Sequence, residues 1–385
     1  MSLDFRALTE ADFDAMQDIR VRAFGPMPDS GAERWRAINL DLLAQRRLFG
    51  VFDGSELAGC GKARGFEQAW HGRLVPTAGM AGITVLPEFR GRGVGTLLMR
   101  GLAERSVARG EPLSALFPAT VPVYRHLGWE LVGAQSRFAL PAAQLRVLGG
   151  SVRPVRATPA DVDRLVTLCR DGLRRTRSSG PIPWSEQDWQ RRLTDPTSFV
   201  YCTDDGLVVY EWDGTDLSVD LLWAASEDSM RSLWSLVGSG SSIARTVYAH
   251  LSPEDPLFWA LPEEAGHAVT QHGWMLRVLD VPGALAARGY PAAVEASVVV
   301  RVDDSESAAN SRTWRLEVSG GAGQLQPVDD APSALALSAR GLAGLYAGRP
   351  VAALRRAGLA GESESYDEVA DAVFATSVAY LTDYF

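Results

Sequence analysis

The segment from Arg90 to Gly95 is rich in glycine and arginine and has the composition of an anion-binding loop. Glycines let a backbone approach a pyrophosphate with its N–H groups, and a helix that starts there adds a partial positive charge. Arg90 and Arg92 supply charge-assisted hydrogen bonds that fit phosphate oxygens. The spacing excludes the G-x-G-x-x-G dinucleotide motif, and the Gly-Lys-Ser/Thr of a P-loop is missing from the sequence. The segment therefore predicts an anion site of another kind.

Cysteine and histidine side chains are weaker candidates for chemistry. Cys60 would need a histidine beside it to act as a nucleophile, and no pattern places one there, so a small buried core residue is the preferred interpretation. No metal is expected, because the histidines show no ligand spacing. They are His71, His126, His250, His267 and His272.

The elements around the loop follow the order strand, turn, helix. Met80 to Val85 is a short apolar run with β-branched residues and predicts a buried strand. A helix follows the loop to about Arg109, and Pro112 to Phe117 predicts the next strand. A short helix that contains Tyr124 comes after it. The loop is thus predicted to lie at the N-terminus of a helix and after the end of a strand.

The chain also contains signs of an internal duplication. The pattern Thr9, Ala11, Asp12, Asp14 recurs as Thr158, Ala160, Asp161, Asp163, each time after a predicted strand, which in the second case spans Val152 to Val155. A second match relates the stretch from His126 to Leu131 to the stretch from His272 to Leu276. Two copies of one fold of about 140 residues are expected, followed by a third domain with strands at 296–302 and 313–318 and helices around 338–347 and 366–380.

Length and composition agree with several folded domains. At 385 residues the chain exceeds one ordinary core, and 46% apolar residues are enough to form such cores. The formal charge of -9 argues against a general nucleic-acid binder and fits a cationic substrate better.

Three scattered cysteines and a start without a basic and apolar leader predict a soluble, unprocessed cytoplasmic protein. Lys62 is the only lysine, a skew that we attribute to coding bias.

The pattern Arg90, Gly93, Gly95 resembles the R-x-x-G-x-G signature of the GNAT acetyltransferase superfamily, and the stretch from Leu86 to Arg90 resembles its usual lead-in. The stretch from Tyr124 to Trp129 resembles the element in which a tyrosine precedes a Gly-Phe/Trp turn. A phenol can protonate a departing thiolate, so the resemblance implies that Tyr124 is a general acid; a structural tyrosine is the alternative. The implied acetyl-CoA contacts are Ile83, Thr84, Val85, Arg90, Gly91, Arg92, Gly93, Val94, Gly95, Thr96 and Ala119.

With three domains, the whole chain resembles the Eis (enhanced intracellular survival) acetyltransferases. That resemblance implies an α+β fold of two tandem GNAT domains with mixed sheets flanked by helices, and a C-terminal sterol-carrier-protein-like domain. We place them at residues 1–148 (active), 149–282 (degenerate) and 283–385. The segment from Ser226 to Arg231 would replace the cofactor loop in the second copy, where Glu227 and Asp228 repel a pyrophosphate. One cofactor site per chain is expected.

The resemblance also implies a mechanism and a substrate class. The free carboxylate of Phe385 would act as general base, backbone N–H groups near Ile83 to Val85 would polarise the acetyl oxygen, and transfer to the amine would be direct. Family members often accept aminoglycosides in broad acidic pockets. Phe24 and Trp35 are the candidate aromatic walls of such a pocket here, and the candidate acidic contacts are Asp29, Glu33, Asp383 and the terminal carboxylate. Acetylation of protein lysine or N-terminal amines is the alternative, and a lipid or sterol carrier with vestigial GNAT domains is a further one. The resemblance also implies a homohexamer. The acidic charge predicts no nucleic-acid partner, and the lack of a long uncharged run predicts no membrane span.

Overall fold

The structure is a computed structural model that describes residues 3–26, 29–263, 266–329 and 331–385. Its elements follow three runs along the chain. The first run contains β1 (Leu3–Ala7), α1 (Phe13–Phe24), α2 (Asp29–Ala44), β2 (Leu48–Asp53), β3 (Glu56–Trp70), β4 (Arg73–Val85), α3 (Val94–Val107), β5 (Leu113–Leu116), α4 (Val121–His126), β6 (Glu130–Pro141) and α5 (Ala142–Arg146).

The second run repeats this order in shorter form. It contains β7 (Val155–Arg156), α6 (Val162–Arg175), α7 (Glu186–Thr194), β8 (Ser198–Cys202), β9 (Gly206–Asp213), β10 (Asp216–Ala224), α8 (Glu227–Gly238), β11 (Thr246–His250), α9 (Leu257–Ala260) and β12 (His267–Val278). The third run contains α10 (Val281–Ala287), β13 (Ala296–Asp303), β14 (Thr313–Ser319), β15 (Ala322–Pro327), β16 (Leu335–Ser338), α11 (Ala339–Tyr346), α12 (Val351–Arg356), α13 (Asp367–Val373) and β17 (Tyr380–Leu381).

Both copies of the duplicated fold begin with the same capping motif. The backbone N–H and the hydroxyl of Thr9 both donate to Asp12 Oδ2 at 2.8 Å. Thr158 makes the same two bonds to Asp161, again at 2.8 Å. Such reciprocal caps satisfy the free N–H groups at a helix start, so the threonine-aspartate pattern marks equivalent positions, as predicted.

The two copies share one continuous sheet because they exchange strands. Its order is β1-β2-β3-β4-β5-β12-β6-β11-β10-β9-β8-β7, and β17 also pairs with β6. Strand β12 of the second copy lies between β5 and β6 of the first, while the last residues of β6 pair with β11 of the second. Each copy therefore completes its sheet with a strand from the other.

The second sequence match does not relate equivalent positions. Gly128 lies in the turn after α4 with φ +90°, which favours glycine. Gly273 lies inside β12 and pairs with Ala134. The similar residues therefore belong to a turn in one copy and to a strand in the other. The predicted match between 126–131 and 272–276 is wrong. The strand expected at Val152 to Val155 begins only at Val155.

The third run forms a separate four-stranded sheet, in the order β15-β14-β13-β16, with helices packed on it. Both predicted strands are present, and the predicted helix around 338–347 corresponds to α11. The helix predicted at 366–380 is wrong beyond Val373, because Tyr380 belongs to β17 and its N–H donates to the Ser179 carbonyl at 3.0 Å. In the described part of the chain no helix has the length and apolarity to cross a membrane.

Candidate active site

A notch opens in the sheet between β4 and β5. The two parallel strands pair only where the residues from Thr77 to Gly79 face the residues from Leu113 to Ala115. Among the described residues, β4 from Met80 to Val85 pairs with β3 alone. The notch therefore exposes one edge of β4. Backbone hydrogen-bonding groups on that edge are not used by the sheet and are available to a ligand.

A β-bulge lies on this exposed part of β4. The register passes from Cys60↔Thr84 to Lys62↔Ala81, so three steps along β4 match two along β3. Gly82 has φ +60°, a left-handed conformation that suits the first position of such a bulge. A bulge leaves the extra residue unpaired in the ladder, and this is the stretch where donors at Ile83 to Val85 were predicted. The Thr84 side chain is directed elsewhere: it is buried and its hydroxyl donates to the Cys60 carbonyl at 3.3 Å.

The predicted anion loop connects this strand to α3. Gly91 and Gly93 have φ of +73° and +83°, and a Cβ added to either would meet nothing within 4 Å. Glycine is therefore required at these positions by the left-handed backbone and not by close packing. The space beside the two glycines is open. Gly93 is the N-cap of α3, which buries Val94 and directs its first free N–H groups into this space. The loop has the open shape and polarity that a pyrophosphate needs.

The residues that flank the loop differ in exposure. Arg90 is exposed, and the guanidinium carbon of Arg92 lies 5.6 Å from the centre of the Phe89 ring, which positions that arginine on the loop. Thr96 is half-buried in the first turn of α3, and Ala119 is exposed in the link between β5 and α4.

Tyr124 lies in α4, beyond the end of β5. Its side chain is 8% exposed and packs in the core cluster that contains Leu116 and Leu127. Burial raises the pKa of its phenol above the ordinary value. The hydroxyl consequently remains protonated at neutral pH, which is the state that a proton donor needs.

The ring of Phe385 lies at the base of the notch. It packs against Phe66 of β3 with centroids 4.9 Å apart and edge-on against Phe117 at 5.4 Å. A Cβ added to Gly79 would lie 2.8 Å from this ring, so glycine at that position makes room for it. The structure thus brings the last residue to the point where β4 and β5 separate.

The segment before Phe385 is fixed by contacts with both copies. Strand β17 pairs in parallel with β6, and Gln135 Nε2 donates to the Thr382 carbonyl at 2.8 Å. Trp184 of the second copy donates its indole N–H to Asp383 Oδ1 at 2.7 Å. Burial of this carboxyl raises the pKa of Asp383 to about 6. Asp383 is half-buried, and its carboxyl also accepts from the Thr382 hydroxyl at 2.9 Å. Because these bonds already engage the carboxyl, we assign Asp383 to anchoring the tail and not to the predicted contact with substrate.

Phe24 and Trp35 line one pocket beside the bulge, with a volume of about 100 Å³. Phe24 comes from α1 and is 57% exposed, whereas Trp35 comes from α2 and is half-buried. Lys62, Gly82 and Thr84 form the opposite side, from β3 and β4. The pocket therefore borders the exposed edge of β4 where the acetyl group is predicted to bind.

The charge of this pocket differs from the expected acidic one. Among the described residues its charged lining consists of Arg20 and Lys62. Glu33 is exposed on α2, and the side chain of Asp29, another acidic candidate, lies outside the described residues.

Lys62 also lines this pocket, although no sequence pattern predicted it as a site residue. Its Nζ donates to Asn39 Oδ1 at 3.5 Å, and burial, with the nearby charge of Arg64, lowers its pKa to about 8. The only sequence feature that could have indicated Lys62 is that it is the single lysine of an arginine-rich chain. The number of lysines, however, does not show where that side chain lies.

At the corresponding place in the second copy, the described residues between β10 and α8 form no comparable loop. Only two residues, Ala225 and Ser226, separate β10 from α8, whereas eight separate β4 from α3. The Ser226 hydroxyl accepts from the Ser229 N–H and caps the helix. Asp228, in the first turn, accepts two bonds from Ser151. The helix start is thus already capped by the protein and carries negative charge.

Three segments of the chain match known domain families. Residues 4–132 and residues 180–278 each match an acetyltransferase (GNAT) domain, and residues 281–382 match a sterol carrier protein domain. A GCN5-related N-acetyltransferase from Kribbella flavida is 44% identical in sequence to this protein. The match covers 100% of this chain and 98% of the Kribbella chain, and the two structures superimpose with a TM-score of 0.95. The chain belongs to the GCN5-related N-acetyltransferase family.

Within the GCN5-related N-acetyltransferases the chain is of the Eis type. The N-acetyltransferase Eis of Mycobacterium bovis is 29% identical over 359 residues, which is 86% of each chain. An uncharacterized N-acetyltransferase of Streptomyces griseus is 29% identical over 420 residues, or 98% of each. The order of two GNAT domains and a sterol carrier domain confirms the predicted fold class. The chain is an acetyltransferase, and acetyl-CoA is the co-substrate of its family.

Proposed function

We propose that this acetyltransferase transfers the acetyl group of acetyl-CoA directly to a primary amine at the notch between β4 and β5. The observation that carries the proposal is the junction of three features at one place. The exposed edge of β4 with its bulge, the open glycine loop at the start of α3, and the aromatic pocket all border this notch. The second copy offers no such loop, so we propose one cofactor site per chain.

The proposed cofactor contacts are of two kinds, arginine side chains and backbone N–H groups. Arg90, Arg92 and the N–H groups after Gly93 would hold the pyrophosphate, and the backbone of Ile83 to Val85 would hold the pantetheine arm and the acetyl oxygen. Donors on a fixed strand stabilise the developing oxyanion without reorganising, which is generally the largest contribution in acyl transfer. When bound, acetyl-CoA supplies an activated thioester.

Proton transfer is assigned to two groups. The phenol of Tyr124 would protonate the leaving thiolate, and its raised pKa keeps the proton on it until then. The carboxylate of Phe385 would take a proton from the amine, directly or through water. The docking of its ring at the base of the notch supports this role.

An acyl-enzyme through Cys60 is not part of the proposal. Its thiol is 4% exposed, and burial raises its pKa. The sulfur lies 3.2 Å from the Thr84 hydroxyl, a hydrogen bond that does not provide a base strong enough to form the thiolate. Cys60 is therefore assigned a core role.

Aminoglycosides remain the proposed first acceptor class, acetylated at one or more amines, because the aromatic pocket beside β4 suits a ring that presents one amine. Arg20 and Lys62 in the same pocket favour an amine with less positive charge around it. Peptides with a lysine or N-terminal amine next to acidic residues therefore form the second candidate class.

The direct test is a thiol-release assay with acetyl-CoA against an aminoglycoside panel and an acidic-peptide panel. Turnover with at least one panel supports the proposal and selects the acceptor class. Failure to bind acetyl-CoA by calorimetry would refute it. A cytoplasmic location and a hexamer are also proposed from the family resemblance, and light scattering of the purified protein tests the hexamer.

A further inference from the structure

Lys62 lies in the acceptor pocket of an enzyme that acetylates amines, and we infer that Lys62 is itself an acetylation site. When acetyl-CoA is bound and no external amine occupies the pocket, the Lys62 amine takes the acetyl group in place of the acceptor. This inference rests on the proposed function, since it uses the same cofactor and the same notch.

Strand register places Lys62 beside the reacting edge. Lys62 of β3 is directly opposite Ala81 of β4, and residues opposite each other in a ladder have side chains on the same face. Its Cε lies 3.7 Å from the position that a Cβ on Gly82, at the bulge, would occupy. Lys62 and Thr84 line the same pocket. The lysine arm therefore passes over the bulge where the acetyl oxygen is proposed to bind.

The surroundings of Lys62 disfavour its ammonium form relative to that of an exposed lysine. In the ranges that the structure describes, no carboxylate forms an ion pair with it, and its bond to Asn39 of α2 is long at 3.5 Å. The charged groups around it are cations: Arg64 lies two residues along the same face of β3, and Arg20 comes from α1. Cys60, on the same strand, is a buried thiol. Like charge and burial both disfavour the protonated amine.

The amount of reactive amine follows from these surroundings. With a pKa of about 8, roughly half of Lys62 is unprotonated at pH 8, whereas an ordinary lysine of pKa near 10.4 is about 0.4% unprotonated. The concentration of nucleophile is therefore about 100-fold higher than for an exposed lysine, before any benefit from the bound position of the thioester.

The reaction balances without a further reagent. The Lys62 nitrogen forms an N–C bond to the acetyl carbonyl carbon, and the C–S bond of acetyl-CoA breaks. The thiolate leaves and takes a proton, while the nitrogen loses one proton to solvent. The products are the acetamide of Lys62 and free CoA. The acetamide is uncharged and larger than the amine, so it occupies the pocket and slows turnover of external amines.

Because Lys62 is the only lysine of the chain, the modification can be mapped without ambiguity. Full-length protein is incubated at about pH 8 with radiolabelled acetyl-CoA and no acceptor, digested, and analysed by mass spectrometry. We expect about one acetyl group per chain on Lys62, formed at least about 100-fold faster than in the same chain unfolded in guanidinium. The rate should rise with pH around an apparent pKa near 8. Lys62→Arg and Lys62→Met should both lose the label.

The outcomes separate this inference from the proposed function. Turnover of external amines with unlabelled Lys62 overturns the inference and leaves the function standing. Equal labelling of native and unfolded protein also overturns it, because that result is ordinary chemical acetylation. Absence of acetyl-CoA binding overturns both. If external acceptors suppress the labelling of Lys62, the inference is supported. That result is obtained with the unchanged chain, so it does not depend on whether either Lys62 variant folds.

Discussion

Replacement of Gly79 by alanine tests whether the docked position of Phe385 matters for turnover. A Cβ at this position would lie 2.8 and 2.9 Å from two atoms of the Phe385 ring and 2.5 Å from the Phe66 ring. All three distances are shorter than carbon atoms tolerate, so the Phe385 ring or the Phe66 ring has to move. Phe66 is part of β3, whereas Phe385 is the end of the chain, and we expect the latter to be displaced.

The magnitude follows from the cost of overpacking. Adding a methyl group to a filled site costs about 1–3 kcal/mol, and a factor of ten corresponds to about 1.4 kcal/mol. The balance between docked and displaced Phe385 should therefore shift by roughly 5- to 150-fold. We expect kcat to fall by up to that factor in Gly79→Ala. Binding of acetyl-CoA should be retained, because Gly79 precedes the bulge and the glycine loop.

The assay is a double-mutant cycle with a chain that lacks Phe385. Removal of a general base costs about 10²–10⁴ in kcat, and we expect the shortened chain to show a loss in that range. If Gly79→Ala acts through Phe385, it should have almost no further effect in the shortened chain. An equal loss from Gly79→Ala in both chains would refute the reasoning, because the alanine would then act through Phe66 or β4 itself.

Three further changes have defined outcomes. Tyr124→Phe should lower kcat by about 10²–10⁴ while the acetyl-CoA Kd from calorimetry stays the same; unchanged turnover would exclude Tyr124 as the acid. Gly93→Ala forces a left-handed alanine at about 1–2 kcal/mol, so the acetyl-CoA Kd should rise by roughly 5- to 30-fold if the loop must keep this shape to bind. Asp383→Asn should change the pH dependence of stability. The folded pKa of about 6 lies above the unfolded value of 3.8, so the stabilising contribution is complete below about pH 4 and is lost as pH rises through 6. The asparagine variant should therefore have the higher Tm at pH 7.5, and a lower one would contradict the assigned burial.

Local patterns predicted the parts of the site that depend on neighbours in sequence. The turn from β4 into α3 needs glycine at Gly93, and the caps at Thr9 and Thr158 use residues three apart, so these features can be found in one chain. The buried strand at Met80 to Val85 was also visible, although β4 begins earlier, at Arg73.

Contacts between distant residues were beyond such patterns. The helix predicted to reach Tyr380 stops at Val373, because pairing of β17 with β6 competes with helix for the same backbone groups. The exchange of β6 and β12 has no local signal at all. Lys62 was visible as a single letter, but its pocket is built from α1, α2, β3 and β4 together, and only the fold brings these elements to one place.

Strand exchange has a consequence for how this gene can be divided or recombined. A fragment that ended near residue 148 would carry the whole glycine loop but would lose β12, which covers the edge of β5 and pairs with β6. Because β11 and β17 would be lost as well, the fragment would uncover one edge of β5 and both edges of β6, and uncovered strand edges favour aggregation. Each copy therefore depends on the other for a complete sheet, although we assign a cofactor site to the first copy alone. Gene shuffling can move the pair together, but not either half.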